Sequence, residues 1–301
     1  MKKAVGNLPA SVRQRLLNLA RERKEDFGLV LGRYGLERFL YRLSVSAHRN
    51  LFVLKGALLL QAWTGETYRP TRDLDLLGKA PHVSYKKIIS EVCSQEVEDD
   101  GLSFLTQRIR VERIRDEEAY EGVRVLLEAA LGNVRIPLQI DVGLGDVIVP
   151  APEELEFPTL LEFSAPKLNA YPKESVVAEK FEAVVKLGLA NSRMKDFYDL
   201  LVLAQRFEFE NATLAAAIQA TFETRRTSLP SSLPLAFSAD FWRSPNKQTQ
   251  WKAFLRKSGL NANSSLEETI RIVREFVMPV VERIAEGDRE KKIWPPGGPW
   301  R

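Results

Sequence analysis

Residues 69–78 read RPTRDLDLLG: two arginines, then two aspartates one residue apart among leucines. If Asp73–Leu77 is a β-strand, side chains alternate faces, so Asp73 and Asp75 share one side while Leu74 and Leu76 share the other. Their α-carbons would then stand roughly 6.6 Å apart. Two carboxylates around one volume suit a site whose ions sit roughly 3.5–4 Å apart. A half-buried strand with a solvated polar edge accounts for the same pattern, and taken alone it is the more economical reading.

The chain on either side supports a sheet. Leu51–Leu54 is a short apolar run ending in Lys55-Gly56-Ala57, followed by a helical pattern over Ala57–Trp63. Upstream, residues 9–47 carry helical periodicity, with Leu16, Leu17, Leu29, Leu36, Phe39, Leu40 and Leu43 among Arg, Glu and Lys. Gly28, Gly32 and Gly35 predict that this region is two helices rather than one. Downstream, 83–98 reads as an amphipathic helix, and Ser103–Ile114, Val123–Leu131 and Val134–Val142 as extended segments. Helices and strands interleaved in this way predict an α+β (α/β) fold, a mixed sheet flanked by helices. Val149–Pro172 is rich in proline and acid and reads as a linker or crossing loop. Beyond it Glu174–Leu187, Arg193–Gln205, Thr213–Phe222, Gln250–Lys257 and Leu266–Ile284 are helical, and the Pro- and Gly-rich tail KKIWPPGGPWR is too irregular to fold alone. The predicted division is a sheet domain over residues 1–150 and a mainly helical domain over 151–301.

Composition narrows the chemistry. The 301 residues are 45% hydrophobic and 28% charged, with both signs mixed and a net charge of +4, as in a globular protein. A mild basic excess is compatible with a nucleotide or nucleic-acid partner without requiring one. One cysteine, Cys93, and two histidines, His48 and His82, exclude a disulfide framework and a Cys/His zinc site. Any metal is therefore expected to be a hard cation on carboxylates. The N-terminus has no apolar run after its lysines, and no stretch approaches a membrane span, which predicts a cytoplasmic protein with no membrane partner.

Four further sites carry candidate chemistry, three of them beside a plainer reading. Val134-Arg135-Ile136-Pro137-Leu138-Gln139-Ile140-Asp141 alternates strictly, placing Asp141 on the polar face of a strand; alternatively Asp141 only opens the turn that follows. Pro137 predicts an edge position or a bulge. Lys55-Gly56-Ala57 lies at a strand-to-helix turn, where glycine and free N–H groups can face an anion. Lys180 lies in the helical VVAEKFEAVVK, where a snorkelling surface lysine is the simpler reading. Arg193, Asp196 and Asp199 are spaced i, i+3, i+6, with Lys195 four residues before Asp199, and a surface salt-bridge ladder explains them.

In order, LKGALLLQAW (54–63), RPTRDLDLLG, PLQIDVGLGD (137–146), VVAEKFEAVVK (176–186) and NSRMKDFYDLL (191–201) resemble the AbiEii/AbiGii-type nucleotidyltransferase toxins. These include the MenT toxins and belong to the DNA polymerase β-like nucleotidyltransferase superfamily. The resemblance implies that Asp73 and Asp75 are metal ligands and Asp141 the third. It implies that Gly56 and Ala57 form the turn facing the triphosphate, with alanine where the family carries Gly or Ser. Lys180 would bind the triphosphate, supported by Lys55, Arg69 or Arg72, and Asp196 would be the acid of the last motif, with Asp199 ranked below it. The implied activity is nucleotide transfer from an NTP, with Mg²⁺ or Mn²⁺, to an RNA acceptor such as a tRNA 3′ end. That would block translation as one half of a toxin–antitoxin or phage-defence pair, with an antitoxin encoded nearby. Nucleotidylation of a protein or small molecule is the alternative within enzymes, and a non-catalytic nucleotide-binding regulator the alternative outside them. Arg69 and Arg72 are equally explained as phosphate or RNA contacts and as solvated side chains, and Phe197 or Tyr198 could stack on a base.

Overall fold

A computed structural model describes residues 7–65, 69–80, 83–115, 121–260, 265–287 and 290–301. The chain divides into two compact units, residues 1–145 with 153–170, and residues 146–152 with 171–301.

The first unit runs α1 (Leu8–Arg23), α2 (Phe27–Val45), β1 (Phe52–Lys55), α3 (Leu58–Thr64), β2 (Asp73–Gly78), α4 (Tyr85–Cys93), β3 (Leu102–Phe104), β4 (Arg110–Arg115), β5 (Glu121–Leu131), β6 (Val134–Leu144), β7 (Glu153–Glu156) and β8 (Lys167–Ala170). The two N-terminal helices are present, but glycine does not divide them. The break falls at Lys24, which takes a left-handed φ of 53°, and at Asp26, whose carboxylate accepts from the Leu29 N–H at 3.0 Å and caps α2. Gly35 lies inside α2 for a packing reason: a Cβ there would stand 3.0 Å from Leu138 of β6.

The sheet is mixed, in the order β3-β5-β6-β2-β1-β8-β7, with β4 also paired to β5. The stretch expected to be a linker thus supplies β7 and β8, with β8 parallel to β1. One face is apolar: Leu74, Leu76, Val125, Leu127, Ile136, Leu138, Ile140 and Val142 are all buried, and α1, α2 and α4 pack on this sheet. Burial of this kind stabilises by roughly 25 cal/mol per Å² of apolar surface. Below it, Tyr34 donates to the Asp100 carbonyl at 2.6 Å, and Arg42 holds the Asp100 carboxylate at 2.7 and 3.1 Å.

Pro137 lies in a strand with neighbours on both sides, yet the edge expectation holds locally. Strand β2 begins at Asp73, opposite Gln139, so at Pro137 the β2 side of β6 has no partner strand and the missing N–H breaks no ladder bond.

The second unit comprises α5 (Lys173–Leu187), α6 (Met194–Arg206), β9 (Phe209–Glu210), α7 (Asn211–Thr224), α8 (Ala239–Trp242), α9 (Pro245–Lys257), α10 (Leu266–Glu286) and β10 (Ile293–Trp294). Arg225, just past α7, ties it together by pairing with Asp146 at 3.0 Å, Glu179 at 3.2 Å and Glu182 at 2.9 Å. Burial opposes its charge, but the three carboxylates outweigh that and raise its pKa. The tail is ordered by tertiary contacts: β10 pairs with β9, and the Trp294 and Trp300 indoles donate to the Ala204 and Phe276 carbonyls at 2.7 and 2.9 Å. Among the described residues no helix is long and apolar enough to cross a membrane.

Candidate active site

The polar face of the first unit's sheet is organised by register. Asp75 is the direct neighbour of Lys55 on β1 and of Asp141 on β6, and Asp141 is the neighbour of Arg124 on β5. Because register partners share a face, Lys55, Asp75, Asp141 and Arg124 form one row across four strands. Asp73 and its neighbour Gln139 form the next row on the same face. Asp73, Asp75 and Asp141 are half-buried, in contrast to the fully buried leucines between them. The alternation in the sequence therefore brings the three carboxylates together on one surface.

Asp141 has more neighbours than its sequence discloses. Arg124 Nε donates to Oδ1 at 2.9 Å and Nη2 to Oδ2 at 2.8 Å, a two-pronged ion pair. Gln139 Nε2 lies 3.3 and 3.1 Å from the same two oxygens. The hydrogen bonds to Asp141 raise the Arg124 pKa, and the charges of Asp141, Asp73 and Glu112 add to this. Arg124 and Gln139 were absent from the residues singled out by sequence, although a signal existed. The predicted strands 123–131 and 134–142 flank a two-residue turn, Gly132-Asn133, and a two-residue hairpin sets Leu131 opposite Val134 and hence Arg124 opposite Asp141. Gly132 has φ +58°, the left-handed value such a turn needs.

Gly56 is fixed by this row. Its φ is +79°, and a Cβ there would lie 2.1 Å from Asp75 Oδ2. Only glycine lets the β1–α3 turn pass beneath that carboxylate. Ala57 follows at the N-cap position of α3 and adds no side-chain hydrogen bond. Arg72 is exposed and, with Thr71, Arg135 and the first turns of α2, lines a groove of about 250 Å³. Arg69 is half-buried.

As donors, the three carboxylates are of the type a hard divalent cation takes, and Asp73 and Asp75 project to one side. Among the described residues no three such side chains are already gathered as an ion would require, and both oxygens of Asp141 are engaged by Arg124.

In the second unit, Lys180 on α5 is neither a snorkelling nor a solvated lysine. Its Nζ lies 3.0 Å from Asp196 Oδ1 and 2.7 Å from Asp199 Oδ2, and both aspartates are buried. Arg193 adds a contact to Asp196 Oδ2 at 3.0 Å, a rung of the expected ladder. Asp199 faces Lys180 rather than Lys195, which is exposed. Burial explains why: α6 turns its acids inward beside Phe197 and Leu200, where each buried charge needs a partner. Asp196 and Asp199 both hold Lys180. Phe197 is core, packed on Phe241 at 5.3 Å, and Tyr198 lies 5.7 Å from Phe254.

Other nucleophile candidates fall away. Cys93 is buried, and burial pushes its thiol up to about 12. His48 bonds Glu91 at 2.7 Å on the surface, and His82 lies outside the described residues.

Residues 38–273, which include every carboxylate and the lysine above, match the family model of the nucleotidyl transferase AbiEii toxin, of the type IV toxin–antitoxin system. The chain belongs to the AbiEii family. It is thus a member of a family of nucleotidyl transferase toxins, and a toxin–antitoxin family implies an antitoxin partner. Two crystal structures from Helicobacter pylori are similar to this AbiEii chain. One, described as a candidate nucleotidyltransferase, is 14% identical with TM-score 0.47, covering 84% of this chain and 95% of its own. The other, JHP933, is 15% identical with TM-score 0.46, covering 83% and 90%. No curated protein matches the sequence.

Proposed function

We propose that this AbiEii protein transfers a nucleotide from an NTP to an RNA acceptor, a tRNA 3′ end, and so blocks translation until its antitoxin intervenes. The observation that carries this reading is the row of half-buried carboxylates on one sheet face, inside the segment matched to a nucleotidyl transferase family. In it, Asp73 and Asp75, joined by Asp141, hold Mg²⁺ or Mn²⁺. A divalent cation there supplies a lowered pKa for the attacking hydroxyl and charge to offset the leaving oxygen.

The chain's own residues do the rest. Lys180, paired with Asp196 and Asp199, is assigned to the triphosphate, as the resemblance implies. Lys55 at the end of β1 and the exposed Arg72 supply further positive charge in the first unit. The Gly56-Ala57 turn gives a close backbone approach, without a serine hydroxyl, so anion binding at this turn rests on N–H groups alone. Neither cysteine nor histidine is needed.

Purified protein incubated with Mg²⁺, total tRNA and each labelled NTP should label tRNA with at least one of them. Absence of label on tRNA with all four NTPs would overturn the tRNA assignment. Label on a protein or a small molecule instead would move the acceptor to that class. NTP binding in calorimetry without pyrophosphate release would make the protein a regulator.

A further inference from the structure

We infer that Arg124 and a divalent cation compete for Asp141, and that the triphosphate takes up the guanidinium when the cation displaces it. Arg124 is then a positioning residue that keeps the third carboxylate occupied until nucleotide and cation arrive together. The inference rests on the proposed reading of Asp73, Asp75 and Asp141 as cation ligands.

Three observations carry it. The pairing is built into the backbone: Arg124 and Asp141 are register partners in an eleven-residue hairpin strand pair, so their α-carbons stay neighbours whatever else occupies the face. The pair is also saturated, because Arg124 covers both carboxylate oxygens and Gln139 reaches both as well. An oxygen so bonded lacks a lone pair in position for a cation unless the guanidinium moves. And the guanidinium can move, since the Arg124 side chain is 38% exposed against 19% for Asp141.

Charge gives the exchange its direction. On these two rows Lys55, Arg110 and Arg124 oppose Asp73, Asp75, Asp141 and Glu112, leaving one net negative charge. A dication would reverse that sign, repelling Arg124 and drawing in a polyanion. A guanidinium released from a carboxylate finds its best alternative in a phosphate, which accepts the same two-pronged donor pattern. Arg124 would thus leave one anion for another and couple cation binding to triphosphate binding.

The test measures Mn²⁺ binding by electron paramagnetic resonance in the full-length protein. Arg124→Gln should bind free Mn²⁺ about tenfold more tightly, the scale of a lost charge-assisted pair, and bind ATP more weakly once Mn²⁺ is saturating. Arg124→Lys, unable to form the fork, should fall between. In an Asp141→Asn background Arg124→Gln should leave Mn²⁺ binding unchanged. Gains that persist in that background would mean that only a nearby positive charge was removed, overturning the competition. Unchanged or weaker Mn²⁺ binding by both Arg124 variants, with thermal midpoints near wild type, would overturn it too. If wild type binds Mn²⁺ and Asp73→Asn binds it equally well, the ligand assignment itself fails, a result separate from any behaviour of Arg124.

Discussion

The carboxylates of β2 and β6 and those of α6 are the same kind of residue in opposite surroundings. Asp73, Asp75 and Asp141 stand half-buried on a strand face, where register with Lys55 and Arg124 sets their neighbours. Asp196 and Asp199 are sealed in a helical core around one ammonium. A strand face can leave a charged group partly wet and able to exchange partners. A buried helix face cannot, because each unpaired charge costs several kcal/mol. Exchangeable chemistry is thus expected on the sheet, and a fixed, pre-positioned lysine on the helices.

The largest expected effect separates the two regions most sharply. Asp75→Asn should reduce nucleotidyl transfer by about 10³-fold or more, as loss of electrostatic stabilisation does, with a thermal midpoint close to wild type. A variant that transfers normally would remove Asp75 from the site. Asp199→Ala should act in the other direction, destabilising by about 1–3 kcal/mol through loss of one charge-assisted bond, because Lys180 keeps only Asp196, read from urea unfolding. A stable Asp199→Ala protein would mean that the helical cluster is as adaptable as the strand face.

Gly56→Ala lies between these cases. A left-handed backbone costs a residue with a Cβ about 1–2 kcal/mol, and here that Cβ also meets Asp75 Oδ2. Activity should fall further than the midpoint does, because the atom displaced belongs to the carboxylate row. Equal losses in both would make Gly56 a folding residue only.

Glu37 asks whether burial alone is decisive, even in the sheet unit. It lies 2.9 Å from Arg38 and accepts from the Leu160 N–H at 2.7 Å, yet desolvation outweighs both and raises it to about 7. Its neutral form is favoured by folding, so that contribution is complete below about pH 4.5 and lost as pH rises through about 7. Thermal midpoints measured from pH 5 to 8 should decline in wild type more than in Glu37→Gln. Parallel curves would place the charge on Glu37 throughout. The smallest effect belongs to Lys195→Ala, expected within about 0.5 kcal/mol of wild type because Asp199 faces Lys180 instead. A larger loss in urea unfolding would restore the surface ladder.

Periodicity made much of this legible. The alternation of DLDLL and VRIPLQID is enough to put three acids on the polar side of strands, and the helical periods of both ends of the chain appear as helices. What it could not disclose was pairing. Lys180 and Asp199 are nineteen positions apart on different helices, and only packing decides that the acids turn inward. The tail looked unstructured because local composition carries no trace of the Trp294 and Trp300 contacts. The proline-rich stretch 149–172 hid β7 and β8 because strands of four residues show little periodicity of their own. Arg124 is different: the hairpin rule was available in the sequence, and register alone would have found it.

That hairpin has a bearing on how the family can vary. Gly132-Asn133 ends eight positions before Asp141, about 27 Å along an extended strand, and looks like a surface loop free to gain or lose a residue. Yet the turn counts out the ladder. One inserted residue that reset the pairing would bring position 123 or 125 opposite Asp141, replacing a guanidinium with valine. Changes of length at this remote turn are therefore edits to the carboxylate face, and natural or engineered variants should tolerate substitutions there far better than insertions or deletions.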